Sequence, residues 1–367
     1  MGIEELAGKL DDLSRNREAL ALLILQGQRA VPVLADVLLG PPSSIPEPRR
    51  LAAEGLGAIG GEAAVGALIQ VLTLHDIRRL DPVLRLAEEA VRNRAAEELG
   101  KIGDRRAVEP LLYALAHEGL REAMGVLARF KEERAIPHLV RRLEDPCDRA
   151  AAAAALITFG RAAVPALQET LRGRRPSSDD EAPVSVERRA EAVRLLGVVG
   201  DRSVLPCLRA RLDDPAEAVR LEAAFALVAL LVSGAPEQAL GIIAQGLGYP
   251  NLSVGMRCAD ALVAEGDRSI PHLLSLGGPR RAPMVGPRTP GDDTIQVMVI
   301  EVLERIGTVA CARAIADFLH DRSRLVRERI MRALLRLNTP AHAAGAESGS
   351  AQGSSAPSGG RPPRAGS

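Results

Sequence analysis

The 367-residue sequence contains no tryptophan, only two tyrosines and only four phenylalanines. Its hydrophobic core therefore has to be built from Leu, Val, Ile and abundant Ala, which favours closely packed helices over β-sheets. Apolar residues make up 47% of the chain and charged residues 26%, which is an ordinary composition for a soluble protein. This composition predicts an all-α fold.

The chain also lacks an excess of either charge, because 47 basic residues balance 47 acidic ones. This balance argues against binding to nucleic acid or to an anionic membrane. The cysteines, Cys147, Cys207, Cys258 and Cys311, form no C-x-x-C pair and are typical of buried thiols in a reducing compartment. No signal peptide is recognisable, and the longest apolar run, from Ala223, is about half of a membrane span. We therefore expect a soluble, cytoplasmic protein.

Motifs of known catalytic centres are missing as well. The sequence has no P-loop, no G-x-S-x-G, no H-E-x-x-H and no paired-cysteine metal site. A catalytic triad dispersed along the chain would leave no such motif and stays open. We expect a protein without catalytic residues, metal or cofactor.

What the sequence does contain is a recurring phrase that ends one helix and begins another. It reads GDRRAVEPLL from Gly103, GDRSVLPCL from Gly200 and GDRSIPHLL from Gly266. Glycine can close a helix in the left-handed conformation, aspartate or serine can cap the next helix, and proline is tolerated in a first turn. The phrase therefore predicts repeated two-helix units.

Aligning the chain on this phrase gives about nine helical hairpins. Their second helices are expected to begin near Val31, Ala64, Ala107, Ala135, Ala163, Val204, Ala239, Ser269 and Cys311. One such hairpin cannot bury its apolar face alone, whereas stacked hairpins share a continuous core. We therefore expect an elongated α-solenoid, an α-α superhelix, over residues 1–339.

Pro-rich and polar segments interrupt this rhythm. They predict inter-repeat loops near residues 40–48, 73–87, 173–187 and 277–293. The second of these loops contains a stretch from His75 that is longer than a turn and is expected to include an extra helical segment. Residues 340–367 have few bulky apolar side chains, which predicts a disordered, low-complexity tail.

The repeat resembles the HEAT-like repeats first named from phycobilisome (PBS) lyases, whose unit combines an Arg- and Ala-rich helix, L-G-x-x-G-D and A-V-P-x-L-x-x-x-L. The resemblance covers residues 17–337. Its clearest matches are Leu99–Leu115, Leu127–Leu143, Leu196–Leu212 and Ala264–Leu276. It implies an α-solenoid of HEAT-like hairpins, but the same repeat serves many roles and does not specify the function.

Two enzyme-type alternatives follow from the same resemblance. One is a lyase-like or chaperone-like accessory for prosthetic-group attachment, although no catalytic residue can be carried over to this chain. The other is a degenerate oxidoreductase similar to deoxyhypusine hydroxylase, a HEAT-like enzyme in which His-Glu pairs bind a di-iron centre. The single pair here, His117-Glu118, lies outside the family's register, which in the third unit holds Asn93 and Arg94. The chain also has only six histidines to serve as ligands.

Second helices line the concave side of HEAT-like proteins, so equivalent second-helix positions should form three ladders along that side. The candidate partner-binding residues on these ladders are Val37, Val71, Tyr113, His138, Arg141, Arg142, Glu169, Arg211, Gln245, His272, Asp317 and Phe318. The two main ladders mix apolar, amide and charged groups, which argues against a phosphate-binding or metal-binding surface.

Such a mixed surface suits a protein partner. In this interpretation Val37, Val71 and Phe318 would be apolar anchors, while Arg141 and its neighbours Arg142 and Arg211 would make bidentate contacts. We therefore expect a non-catalytic scaffold or adaptor that binds a protein of unknown identity through its concave face. The alternative that these side chains are solvated and have no partner stays open, and the oligomeric state is not indicated.

Overall fold

The computed structural model is helical throughout the part of the chain that it describes, namely residues 2–172, 183–200, 202–231, 234–277, 290–319, 321 and 323–337. These residues contain no strand, so the predicted all-α fold is confirmed. The chain divides into two compact units, unit 1 with Met1–Glu222 and unit 2 with Ala223–Ser367.

Twenty α-helices account for most of the described residues. In chain order they are α1 (Ile3–Gly8), α2 (Asn16–Leu25), α3 (Val31–Leu38), α4 (Glu47–Ile59), α5 (Glu62–Val71), α6 (Pro82–Ile102), α7 (Val108–His117), α8 (Arg121–Arg129), α9 (Ile136–Arg142), α10 (Arg149–Phe159), α11 (Val164–Arg172), α12 (Pro183–Val199), α13 (Leu205–Ala210), α14 (Glu217–Leu231), α15 (Glu237–Gly246), α16 (Leu252–Glu265), α17 (Ile270–Gly277), α18 (Pro290–Ile306), α19 (Val309–Ala316) and α20 (Arg324–Leu337).

These helices pair as the sequence predicts. In the described residues, α2 to α19 form nine consecutive hairpins, with α1 before them and α20 after them. All nine second helices begin within two residues of the predicted starts. Within each unit, first helices pack on neighbouring first helices, as α4 does on α6 and α18 does on α20. This is the arrangement of an α-solenoid.

The recurring phrase mostly ends one helix and caps the next, as the sequence predicts. Gly103 and Gly266 have φ angles of 81° and 63°, in the region that favours glycine. The carboxylate of Asp104 accepts a hydrogen bond of 2.9 Å from the backbone N–H of Arg106, which caps the following turn. Gly200, in the second copy, does not have a positive φ, so the prediction of a left-handed glycine is wrong there.

The segment after His75 differs from the predicted loop. Its extra helical segment is a 3₁₀ turn at Ile77–Arg79. α6 then begins at Pro82, because the Asp81 carboxylate accepts hydrogen bonds from the amides of Val83 and Leu84 at 2.9 and 3.1 Å. The predicted loop near 73–87 therefore ends earlier than expected.

The structure describes the other predicted loops and the predicted tail only in part. Residues 40–46 connect α3 to α4 without regular structure. The tail 340–367 and most of the loops predicted near 173–187 and 277–293 lie outside the described residues.

The core of unit 1 consists of Leu, Val and Ala side chains between the hairpins. Close packing between α2, α3 and α4 requires Gly55, because a Cβ atom there would lie 2.9 Å from Leu20 Cδ1 and 3.1 Å from Leu34 Cδ1. α1 packs on α2 and α3 and buries Leu6, and the 3₁₀ turn that follows it, Lys9–Asp11, buries Leu10. Burying one such leucine contributes about 1.5–3 kcal/mol.

A chain of buried ion pairs also joins the hairpins of unit 1, and nothing in the sequence pattern predicts it. The guanidinium of Arg49 on α4 contacts the carboxylate of Glu88 on α6 and donates a 2.8 Å hydrogen bond to the Leu38 carbonyl. Arg92, one turn after Glu88, has its Nη1 2.5 Å from the carboxylate of Glu118, which follows α7. Arg49, Glu88 and Arg92 are all buried. These ion pairs therefore link α4, α6 and the end of α7.

The stretch Arg149–Arg172 is long and apolar enough to cross a membrane by length and composition alone, and it is the only one among the described residues. In the structure a 3₁₀ turn at Gly160–Ala163 divides this stretch into α10 and α11. α10 buries Ala152 and Leu156. The stretch therefore forms the two helices of one repeat and contributes to the core of unit 1.

Candidate partner-binding site

The predicted first ladder lies on the surface of the second helices. All nine of its positions are solvent-exposed: Asp36, Gln70, Tyr113, Arg141, Glu169, Ala210, Gln245, Ser275 and Asp317. Within each unit, residues spaced in this way project from the same side of successive hairpins. The sequence therefore identifies the accessible side of the second helices correctly, although whether this side binds a partner stays a prediction.

The neighbouring ladder does not form an accessible surface. Val71 and Phe318 are both 0% exposed, so they cannot be the apolar anchors that the sequence predicts. Each follows an exposed residue by one position, and one residue along a helix turns the side chain by about 100°, toward the core. Val37 is half-buried, so only part of its side chain is accessible to a partner.

Two of the three predicted arginine contacts are already engaged within the protein. Arg142 donates a 3.2 Å hydrogen bond to the Leu115 carbonyl and lies 3.4 Å from the Asp148 carboxylate. Arg211 is largely buried and forms an ion pair of 3.5 Å with Asp214. The predicted bidentate contacts of Arg142 and Arg211 with a partner are therefore wrong, because both guanidinium groups already have partners within the protein.

Arg141 behaves differently from these two arginines. It is exposed, and it forms no hydrogen bond or ion pair with any residue in the described part of the chain. Arg141 lies on α9, whereas the exposed Tyr113 and His117 lie on the preceding second helix, α7. We call Arg78, Tyr113, His117, His138 and Arg141 the Tyr113 patch.

An ordered aromatic pair forms part of the Tyr113 patch. The rings of Tyr113 and His117 are stacked, with centroids 4.4 Å apart and an interplanar angle of 25°. His117 Nδ1 lies 3.0 Å from the Tyr113 carbonyl oxygen, and since a carbonyl only accepts, Nδ1 carries the proton in this hydrogen bond. Tyr113 is 45% exposed, so its ring offers an apolar surface that is fixed in place.

Among the described residues, Arg141 gives the Tyr113 patch its unpaired positive charge. Burial lowers the pKa of His138, and the positive charges of Arg141, His117 and Arg142 lower it further. Arg78 donates a hydrogen bond of 2.9 Å to Asp76, which raises the pKa of Arg78, and the phenol of Tyr113 makes a smaller electrostatic contribution. The patch therefore combines an aromatic surface with a free guanidinium group.

The carboxylate of Glu118, the residue after His117, does not pair with Arg141. Burial raises the pKa of Glu118, an effect that the charges of Arg92 and Arg78 partly oppose. Its carboxylate points to Arg92, at 2.5 Å, and not to Arg141. The His117-Glu118 pair therefore divides between the surface stack and the buried ion pairs, and its two side chains do not converge on a metal. Among the described residues, no group of three His, Cys, Asp or Glu could hold a metal ion.

The ladder residues of unit 2 have different neighbours from those of unit 1. His272 Nε2 lies 2.7 Å from a carboxylate oxygen of Glu237, and Arg268 lies 2.9 Å from the other oxygen. These two hydrogen bonds lower the pKa of Glu237, with the larger contribution from His272. Gln245 and Asp317 are exposed, as is Glu169 in unit 1, which pairs with Arg172 at 2.9 Å.

Unit 2 also has a groove of about 590 Å³ between α16 and α18, with α20 at one side. Its lining includes Leu252, Met256 and Met298. The charged groups at its rim are already paired, as Asp260 is with Arg305 at 2.6 Å. The groove therefore offers apolar surface without a free polar group that would orient a ligand.

Two family models match the repeats of unit 1. The model described as "HEAT repeats" matches residues 77–160, and the model described as "PBS lyase HEAT-like repeat" matches residues 48–73. The chain is a HEAT-repeat protein. No curated protein matches it.

Several solved structures are similar to this HEAT-repeat protein at low identity. The complex of CpcE and CpcF of phycocyanin lyase from Nostoc sp. PCC7120 is 21% identical, covering 76% of this chain and 96% of that one with a TM-score of 0.35. Human deoxyhypusine hydroxylase is 19% identical, covering 84% and 96% with a TM-score of 0.27. Kap121p is 11% identical, covering 90% of this chain and 45% of that one with a TM-score of 0.46.

The HEAT-repeat pattern identifies the exposed ladder but not the Tyr113 patch. Arg78 belongs to the connection before α6, and its proximity to Tyr113 depends on how that connection folds back. Tyr113 and His117 are four residues apart on a helix, and this spacing is the sequence signal for their stacking.

Proposed function

We propose that this HEAT-repeat protein is a non-catalytic, cytoplasmic scaffold that binds a protein partner through the exposed side of its second helices, the concave side in HEAT-like proteins. The Tyr113 patch is the centre of the contact. The observation that carries the proposal is that Arg141, whose guanidinium has no hydrogen bond or ion pair in the described residues, and the stacked ring of Tyr113 are both exposed on the same ladder.

The chemistry of the patch defines what the partner has to offer. Aromatic and arginine side chains are enriched among the residues that dominate binding energy in protein interfaces. Arg141 can pair bidentately with a carboxylate of the partner, while the Tyr113–His117 stack accepts an apolar or aromatic side chain. The partner residue that meets Arg141 is therefore acidic.

The test compares variants of the full chain as bait in extracts of its native host. Arg141→Glu and Tyr113→Ala should each lower recovery of the partner about tenfold or more, since residues at the centre of an interface contribute roughly 2 kcal/mol or more. Arg29→Glu is the matched control, because Arg29 is also exposed but lies outside the Tyr113 patch. Helical circular dichroism should be the same for all four proteins. Equal recovery with all baits would contradict the proposal.

A lyase-like or chaperone-like accessory for prosthetic-group attachment is the alternative, favoured by the match of residues 48–73 to the PBS lyase HEAT-like repeat. This function requires a bound prosthetic group or a reactive side chain. Absorbance spectra of the protein purified from its native host distinguish the two functions. A stoichiometric visible chromophore would favour the accessory, and its absence together with a recovered protein partner would favour the scaffold.

A further inference from the structure

The last described helix, α20, differs from every earlier first helix because no second helix follows it in the described residues. One side of α20 packs against α18 and α19 and buries Val326, Ile330 and Ala333. The outer side has no helix against it in the part of the chain that the structure describes. Solenoids normally end in a repeat with a polar outer face, so the composition of this outer side is informative.

Large apolar side chains are exposed among the charged residues on the outer side of α20. Met331 and Leu335 lie one turn apart and are 54% and 66% exposed. Met331 and Leu319, which is 40% exposed, line a shallow depression of about 610 Å³. Leu335 lies one turn further along α20. Neighbouring apolar side chains at helical spacing are typical of a surface that packs against another helix.

Comparison with α14 supports the interpretation that Met331 and Leu335 pack against another helix. Arg327 Nη1 donates a 2.7 Å hydrogen bond to the Asp321 carbonyl, six residues before it. Arg220 makes the same bond to the Asp214 carbonyl at 2.8 Å, so the two helices can be aligned on these arginines. In this alignment Met331 and Leu335 correspond to Ala224 and Val228, which are both buried. The exposed pair therefore occupies positions that are covered in α14.

The charges around the pair limit what can cover it. The depression is lined by Arg324, Arg327 and Arg332 but by one acidic residue, Glu328. Glu328 is engaged by Arg324 at 2.8 Å, whereas Arg332 has no hydrogen bond or ion pair among the described residues. Two copies of this surface would bring arginines together, so like charge opposes its symmetric pairing with a second copy.

The remaining residues of the chain do not have the composition to cover this surface. Residues 338–367 contain no Leu, Ile, Val, Met or Phe. They carry one acidic residue, Glu347, and two arginines, Arg361 and Arg364. They supply neither bulky apolar side chains for Met331 and Leu335 nor net negative charge for Arg332.

We propose that the outer surface of α20, formed by Leu319, Arg324, Glu328, Met331, Arg332 and Leu335, docks an acidic amphipathic helix of a partner protein. The apolar stripe of that helix packs on Met331 and Leu335, and its flanking carboxylates pair with Arg332 and Arg324. This surface is separate from the Tyr113 patch, and the proposal does not depend on the function proposed for that patch.

The test uses the full chain and a fluorescent synthetic helix of about 18 residues, with leucines at positions i, i+3, i+4 and i+7 and glutamates beside them. Two further probes are a scrambled peptide of equal composition and a version with lysine in place of every glutamate. Anisotropy should show binding of the acidic helix at least about tenfold tighter than of either control probe, and raised salt should weaken it.

Variants of the protein locate the binding. Leu335→Ser and Arg332→Glu should each weaken binding of the acidic helix about tenfold or more. Leu252→Ser is the matched control, because Leu252 is equally exposed in unit 2 but lies on α16; it should leave the affinity unchanged. Equal binding of the acidic and lysine probes, or equal binding by the Leu335→Ser and Leu252→Ser variants, would overturn the proposal.

Sedimentation analysis tests whether a second copy of the protein covers this surface instead. The full chain without a probe should remain at one mass across the concentrations used for anisotropy. A dimer that the Met331→Glu variant abolishes would show that a second copy covers this surface, and would overturn the assignment to an acidic partner helix.

Discussion

Units 1 and 2 are built from the same hairpin but place their charged side chains differently. In unit 1 both members of an ion pair are buried, as with Arg49 and Glu88, and the pairs join neighbouring hairpins. In the described residues of unit 2 the buried charged groups are carboxylates, including Glu304. Glu304 pairs with two arginines of α20: Arg329, whose side chain is 16% exposed, and Arg336, whose side chain is 70% exposed.

This difference shows two uses for the same residue types in one repeat. A buried pair loses hydration, so it is tolerated only where both partners and their hydrogen bonds are fixed, and it then sets which hairpins fit together. An arginine that stays in solvent keeps its capacity to bind other molecules. The most deeply buried pairs join the hairpins of unit 1, whereas several arginines of α20 in unit 2 also line a shallow depression at the surface.

The largest expected effect comes from breaking the buried pairs of unit 1. Glu88→Ala removes the carboxylate that Arg49 and Arg92 share, and the two guanidinium groups are left in a buried site. We expect unit 1 to lose about 3–5 kcal/mol of its free energy of unfolding. Guanidinium denaturation followed by helical circular dichroism measures this loss.

The matched variant in unit 2 is Asp260→Ala. The pair of Asp260 with Arg305 is 2.6 Å long but has 65% and 50% of the two side chains exposed. Exposed pairs contribute about 0–1 kcal/mol, so this variant should be nearly as stable as the wild type. Equal losses in the two variants would show that the units do not differ in the way described.

Much of the fold can be predicted from the sequence because its signals are local. Helix-ending glycines, capping acids and first-turn prolines act within a few residues, and for this reason all nine second helices begin near their predicted positions. The early start of α6 also has a local cause, the D-P pair at Asp81 and Pro82. The pattern of the preceding repeats obscured it, because their first helices are shorter.

The site was less predictable because it depends on contacts between hairpins. Spacing along a helix correctly gives the exposed side of α9, with Arg141 on it. It does not show that Arg142, the next residue, reaches back to the Leu115 carbonyl of α7. Nor does it show that Arg49 meets Glu88, because the two are 39 residues apart and pair only after two hairpins stack.

A smaller effect distinguishes the two ends of the chain. Leu10 beside α1 is 1% exposed, and Leu10→Ala should cost about 2–5 kcal/mol because it leaves a cavity beneath the N-terminal helix. Leu335→Ala near the end of α20 removes the same atoms from a side chain that is mostly in solvent. It should change the free energy of unfolding by about 0.5 kcal/mol or less. A large loss for Leu335→Ala would mean that the end of α20 is covered.

The smallest expected effect concerns the histidines of the two units. His138 in unit 1 faces Arg141, His117 and Arg142, and its pKa lies below the ordinary value of 6.5. The unfolded chain therefore binds a proton more readily, so neutral His138 favours the folded state above pH 6.5, and this contribution is lost as the pH falls through the folded pKa. Arg141→Gln removes one positive charge and should raise the pKa of His138, whereas Arg29→Gln should not.

In unit 2 the imidazole of His272 faces a carboxylate instead, and the titration that changes is that of Glu237. His272→Ala removes the strongest of the hydrogen bonds that lower the pKa of Glu237, so this pKa should rise. NMR titration of the imidazole and carboxyl resonances measures both shifts. An unchanged pKa of His138 in Arg141→Gln would mean that burial alone sets it, and Arg141 would then be too well solvated to act as the central cation of the Tyr113 patch.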